Sequence, residues 1–183
     1  ILDALGHCFT NIPSLPRGYV TRANLEEELE AQLMLQDRHP IVTLTGRGGI
    51  GKTSTALQII HSMIMRKDLP YELIIWFSSR DIDLTMAGPK TVQAHSVSLN
   101  EFAQEYTKLM VPKRAGEKGF KPIEFFGQDV NESSFGPTLF VFDNFETTSD
   151  PVEIFRWLDN AIRPPNKILI TSRERSFTGD YAV

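Results

Sequence analysis

Cysteine is almost missing from this chain: Cys8 is the single one in 183 residues. A lone thiol closes no internal disulfide and builds no cysteine metal cluster, and it suits a reducing, cytoplasmic setting. Histidine is nearly as scarce. His7, His39, His61 and His95 lie scattered without metal-ligand spacing, so structural roles are expected for all four. No uninterrupted apolar run approaches the length of a membrane span, and no signal-peptide pattern opens the chain. Neither sign of charge is in large excess: 19 Lys and Arg face 23 Asp and Glu, a net charge of −4. A mildly acidic balance of this kind argues against a nucleic-acid surface. Internal repeats and low-complexity tracts are absent as well.

What is there is ordinary in bulk. The chain is 41% hydrophobic and 23% charged, the composition of a globular domain with length enough for one sizeable core. It begins at Ile1 rather than Met and runs to Val183. A fragment of a larger protein is therefore expected.

One stretch organises the rest. Residues 46 to 53 read Gly46-Arg47-Gly48-Gly49-Ile50-Gly51-Lys52-Thr53, the pattern G-x-x-x-x-G-K-[ST]. An apolar run, 41 to 45, precedes it, and an amphipathic run, 53 to 67, follows. That strand–loop–helix context gives the pattern a mechanism. Glycine-rich backbone curls so that successive N–H groups face phosphate oxygens, and the helix N-terminus adds partial positive charge. The candidate nucleotide-binding set is Gly46, Arg47, Gly48, Gly49, Ile50, Gly51, Lys52, Thr53 and Ser54. Within it Lys52 would reach the β- and γ-phosphates, and the Thr53 hydroxyl would ligate Mg²⁺.

Around the loop the periodicities alternate. Residues 1–19 carry Gly6, Pro13, Pro16 and Gly18 without a sustained period and read as an irregular lead-in. Asn24 with Glu27 suggests a capping box opening a helix to about Asp37. Strands are expected at 41–45, 73–77, 138–142 and 167–171, the first apolar enough to be buried on both faces and the second also buried. The helical stripe Ala56, Leu57, Ile60, Met63 and Ile64 should close at Leu69-Pro70. A third helix should follow the capping box Ser98/Glu101, and a fourth should open at Asp150-Pro151 and carry Phe155, Leu158 and Ile162 inward. Residues 81–97 have no clean period and a turn at Gly88-Pro89. Residues 112–137, with four glycines and three prolines, are too long for an ordinary connection and have no assigned role. Trp76 and Trp157 read as core aromatics. The expected architecture is an open, mostly parallel α/β sheet with helices on both faces, its fifth strand only beginning at 180–183. The domain expected to carry it spans residues 20–183.

In such sheets ligands gather at the carboxyl ends of the strands. Asp143 ends the 138–142 run and is the candidate Mg²⁺ carboxylate beside Thr53. Glu146 is a candidate to polarise an attacking water and Asn144 to orient it. Arg173, after the last apolar run, is a candidate cation for the γ-phosphate, with Arg175 a weaker one. Guanine is disfavoured: Asn166-Lys167 is followed by Ile168-Leu169, without the aspartate of an Asn-Lys-x-Asp motif, and no glycine stands three residues after Asp143. ATP or ADP is the expected nucleotide.

With these residues in hand, the chain resembles the STAND class of P-loop signal-transduction ATPases, in its NB-ARC (AP-ATPase) branch. That branch includes plant disease-resistance receptors, apoptosome scaffolds and bacterial regulators and defence proteins. The resemblance runs from about Arg17 to Arg175. It rests on Tyr19-Val20-Thr21-Arg22, the 46–53 loop, Trp76, Phe140 to Glu146, and Ile170-Thr171-Ser172-Arg173. It implies an ASCE-type P-loop NTPase fold, adenine contact by the backbone near Val20, Arg22 close to the nucleotide, and a γ-phosphate sensor at Arg173. In place of the family's glycine before that arginine stands Thr21. The resemblance also implies an ATP/ADP switch with slow hydrolysis that controls assembly. Its partners would be a lid, a winged-helix domain, and sensor and effector domains, with self-association reserved to the full-length protein. An ordinary P-loop ATPase and an AAA-like motor subunit on nucleic acid are the alternatives.

Overall fold

Runs that are apolar on both faces must be covered on both sides, and the order of elements provides the cover. A computed structural model describes residues 1–79, 96–177, 179, 181 and 182. It runs β1 (Asp3–Leu5), β2 (Cys8–Thr10), α1 (Ala23–Met34), β3 (Ile41–Thr45), α2 (Lys52–Ile64), β4 (Leu73–Ser78) and α3 (Leu99–Met110). There follow α4 (Pro122–Glu132), β5 (Thr138–Asp143), α5 (Pro151–Ala161), β6 (Lys167–Ser172) and β7 (Tyr181–Ala182), with short 3-10 turns at Phe145–Thr147 and Arg175–Phe177. The expectations for 81–94, for the Gly88-Pro89 turn and for His95 lie outside the described residues.

The strands form one sheet in the order β1-β2-β4-β5-β6-β3-β7. Every neighbouring pair is parallel except β1 with β2. Strand β6 lies between β3 and β5, with Thr45 in register with Ser172 and Phe142 with Ile170. The carboxyl ends of β3, β5 and β6 are therefore neighbours, although Asp143 lies 98 positions after Thr45 in the sequence. The expected fifth strand is β7, which pairs with β3 on the side away from β6.

Alternate residues of each strand feed two cores. One face puts Val42, Leu44, Ile74, Trp76, Leu139, Val141 and Leu169 against Leu29 and Leu33 of α1 and the buried stripe of α2. The other puts Ile75, Phe77, Phe140, Phe142, Ile168 and Ile170 against α3, α4 and α5. This second core is largely aromatic: Phe77 meets Phe102 edge-on at 5.3 Å between ring centroids, and Phe126 stacks on Trp157 at 5.6 Å. Ring edges carry positive and faces negative charge, so tilted pairs add to the burial itself.

Several expectations need correction. The 1–19 lead-in contains the β1–β2 hairpin. Three-residue strands are too short to show a period, and they are held by the β4 edge through Phe9 opposite Leu73 and through Asn11. The Asn11 amide donates to Trp76 O at 2.9 Å and its carbonyl accepts from Trp76 N at 2.7 Å. Helix α1 is capped at Arg22, not Asn24, with Glu26 Oε1 accepting from Arg22 N at 2.6 Å. It stops at Met34, not Asp37. There the buried Lys167 amine of β6 donates to the carbonyls of Gln32, at 2.7 Å, and Leu35, at 2.5 Å, and takes over the role of a helix C-cap. Helix α2 ends at Ile64, before Leu69-Pro70, and Ile162 is buried one residue past the end of α5. The unassigned 112–137 stretch holds helix α4, whose Phe126 and Val130 complete the aromatic core. The capping box at Ser98/Glu101 and the Asp150 cap form as expected.

Candidate functional site

The phosphate loop leaves β3 at Thr45 and enters α2 at Lys52. Gly51, the residue before the helix, has φ of +88°, a left-handed conformation costly for a side chain. A Cβ on Gly46 would lie 2.3 Å from Ile50 Cδ1, so the loop packs closely on itself there and the isoleucine side chain would have to turn aside for a larger residue. Lys52 folds back into this curl, its ammonium donating to Gly46 O at 2.7 Å and Arg47 O at 3.1 Å.

Asp143 stands at the adjacent strand end, 3% exposed. Its Oδ1 accepts from Thr53 Oγ1 at 2.8 Å and from Thr171 Oγ1 at 2.6 Å, and its Oδ2 accepts from the Asn144 amide at 2.8 Å. Asn144 is buried at φ +55°, and its own N–H donates to Thr171 Oγ1 at 3.0 Å. A hydroxyl and a carboxylate in contact form an all-oxygen donor set, which suits Mg²⁺ completed by phosphate and water. Among the described residues no cluster of three or more His, Cys, Asp or Glu forms a metal cage of its own. Donor set and glycine cradle thus both fit a magnesium nucleotide.

Arg173 follows β6 and reaches toward both partners. Its Nε lies 3.1 Å from Glu146 Oε1, and its guanidinium lies 3.4 Å from where a Cβ on Gly48 would stand. Glu146 is in the short turn after β5, its side chain 9% exposed. Arg175 is exposed in its own turn, away from these contacts.

Two clefts flank the loop. One, of about 200 Å³, is lined by Tyr19, Val20, Arg22, Ile50, Gly51 and Ser54 among others. Arg22 Nη2 donates to Ile50 O there, and the Tyr19 hydroxyl donates to Glu26 Oε1 at 2.6 Å. Burial first, and then the Glu26 carboxylate, push the Tyr19 phenol upward. The other cleft, of about 260 Å³, is lined by Pro13, Thr53, Leu57, Trp76, Ser78, Asp143 and Asn144. Sequence reasoning gave no role to Thr171 or Pro13. Thr171 was visible inside the Ile170–Arg173 motif, whereas nothing in the sequence pointed Pro13 at the Thr53 side of the loop.

A mostly parallel sheet with a glycine-rich loop leading into a helix, and a strand-end aspartate beside it, is the arrangement of a P-loop nucleotide-binding fold. The family model described as the NB-ARC domain matches residues 22–107, a span that includes the loop, α2 and β4. Among solved structures, that of C. elegans PCH-2 is similar over 85% of this chain and 38% of its own, at a TM-score of 0.46 and 16% identity. No curated protein matches the sequence. Among the described residues no helix is long and apolar enough to cross a membrane.

Proposed function

We propose that this chain is the ATP-binding core of a STAND-type regulator, a switch between ATP and ADP states with slow hydrolysis. The observation that carries the reading is the contact of Thr53 with Asp143 at 2.8 Å, directly beside the loop that encloses the Lys52 ammonium. Lys52 and the loop N–H groups would hold the phosphates, and Thr53 and Asp143 would hold Mg²⁺, which when bound neutralises charge on the phosphate oxygens. Val20 and Arg22 line the cleft on the far side of the loop and would receive the base. Thr171 and Asn144 keep the Asp143 carboxylate oriented. A switch of this kind biases flanking domains toward one of two packings, so the nucleotide controls an assembly equilibrium.

Calorimetry with Mg-ATP and Mg-ADP tests the site. Binding is expected in the wild type and loss of it in Lys52→Ala, with the far-ultraviolet circular dichroism unchanged. Undiminished affinity in the variant would overturn the assignment.

A further inference from the structure

Glu146 is a buried carboxylate with an unusual environment. Its side chain is 9% exposed, and neither oxygen accepts a hydrogen bond among the described residues. A carboxylate withdrawn from water is costly unless another charge answers it. Here the answer is Arg173, with Nε 3.1 Å from Oε1 in an ion pair that lies outside hydrogen-bonding geometry. Arg173 itself is half exposed, at 48%, and its guanidinium rests against the loop at Gly48. One cation thus stands between a buried anion and the backbone that would receive phosphate.

We propose that Glu146 sets the preference for ATP over ADP by competing with the γ-phosphate for Arg173. The proposal rests on the nucleotide-binding reading above. A triphosphate offers Arg173 a second anion, whereas a diphosphate leaves it paired with Glu146. When Arg173 turns to the γ-phosphate, the buried carboxylate loses its counter-charge, and that penalty falls on the ATP state alone. Glu146 is therefore a specificity-determining residue that holds the chain toward its ADP state. Replacing its charge while keeping its shape should remove the penalty.

The test is equilibrium binding of ADP and of a non-hydrolysable ATP analogue, both with Mg²⁺, to the 183-residue chain. In Glu146→Gln the analogue should bind about tenfold more tightly relative to ADP, a coupling of ordinary size. Glu146→Asp, which withdraws the carboxylate by one methylene, should move the ratio the same way by a smaller factor. In the Arg173→Ala background, Glu146→Gln should leave the ratio unchanged. An unmoved ratio in both Glu146 variants, or an equal gain with and without Arg173, overturns the proposal while ADP binding leaves the nucleotide reading standing. A wild type that binds neither nucleotide overturns both.

Discussion

At the scale of single residues, Asp143 is the position where the site and the fold meet. Its carboxylate accepts from Thr53, Thr171 and Asn144, three residues drawn from three different segments. Asp143→Ala should lower Mg²⁺-dependent hydrolysis by at least the roughly 10- to 100-fold typical of losing an outer-shell metal partner. Nucleotide binding measured without metal should change less, and equal turnover in variant and wild type would remove Asp143 from the site. A second buried aspartate behaves differently. Asp129 accepts from the Tyr106 hydroxyl and from Phe135 N, and burial, its largest influence, raises its pKa above the ordinary 3.8. The folded state then holds this proton to higher pH than the unfolded chain does. The resulting stability is complete below the ordinary aspartate value and is lost as pH rises through the folded one. Urea titrations at several pH values should show the stability of the wild type relative to Asp129→Asn falling as pH climbs through that window. A flat difference would mean that Asp129 titrates as in the unfolded chain.

At the scale of elements, α4 is the part that the sequence concealed. Its first turn is opened by Pro122, its adjacent Phe125 and Phe126 break a simple stripe, and Gly127 weakens the helical pattern. The helix is held instead by what it covers. Phe126 touches Tyr106, Phe140, Phe77 and Trp157 at centroid distances of 4.9 to 5.8 Å. Phe126→Ala should cost about 3–5 kcal/mol, the usual penalty for emptying a buried aromatic site. The loss would be read as a lower urea midpoint with nucleotide affinity retained, because Phe126 lies on the core face away from the loop. By contrast α3 and α5 were legible from their ends. Ser98 and Glu101 satisfy each other's backbone donors, and Asp150 accepts from Glu153 N at 3.1 Å ahead of Pro151. These are local devices, complete within four residues, and local sequence specifies them.

For the whole molecule the question is turnover and assembly. Val20 is 75% exposed, Ile50 is 39% exposed and Arg173 is half exposed, so the groups around the loop face water. Water weakens the contacts made at this open rim, and a rim open to water stabilises developing charge poorly. The 183-residue chain should therefore hydrolyse ATP far more slowly than the rate of about ten per second typical of metabolic enzymes. It should remain monomeric by light scattering with and without nucleotide. Turnover near that metabolic rate would favour an ordinary ATPase, and a stable ring would favour a motor.

The glycine-rich loop, the four central strands and the strand-end carboxylate could all be read from the chain before folding. Each is written within about ten consecutive residues, as a backbone that needs glycine, a run that needs burial on both faces, or a carboxylate at the end of such a run. Tertiary structure decided what depends on distant partners. The β1–β2 hairpin exists because β4 offers an edge, and α1 ends at Met34 because Lys167, more than 130 positions later, takes its last carbonyls. The insertion of β6 between β3 and β5 sets Arg173 against both Glu146 and Gly48. Composition and periodicity carry no signal for such pairings, because their energies arise only when segments far apart in sequence share one surface.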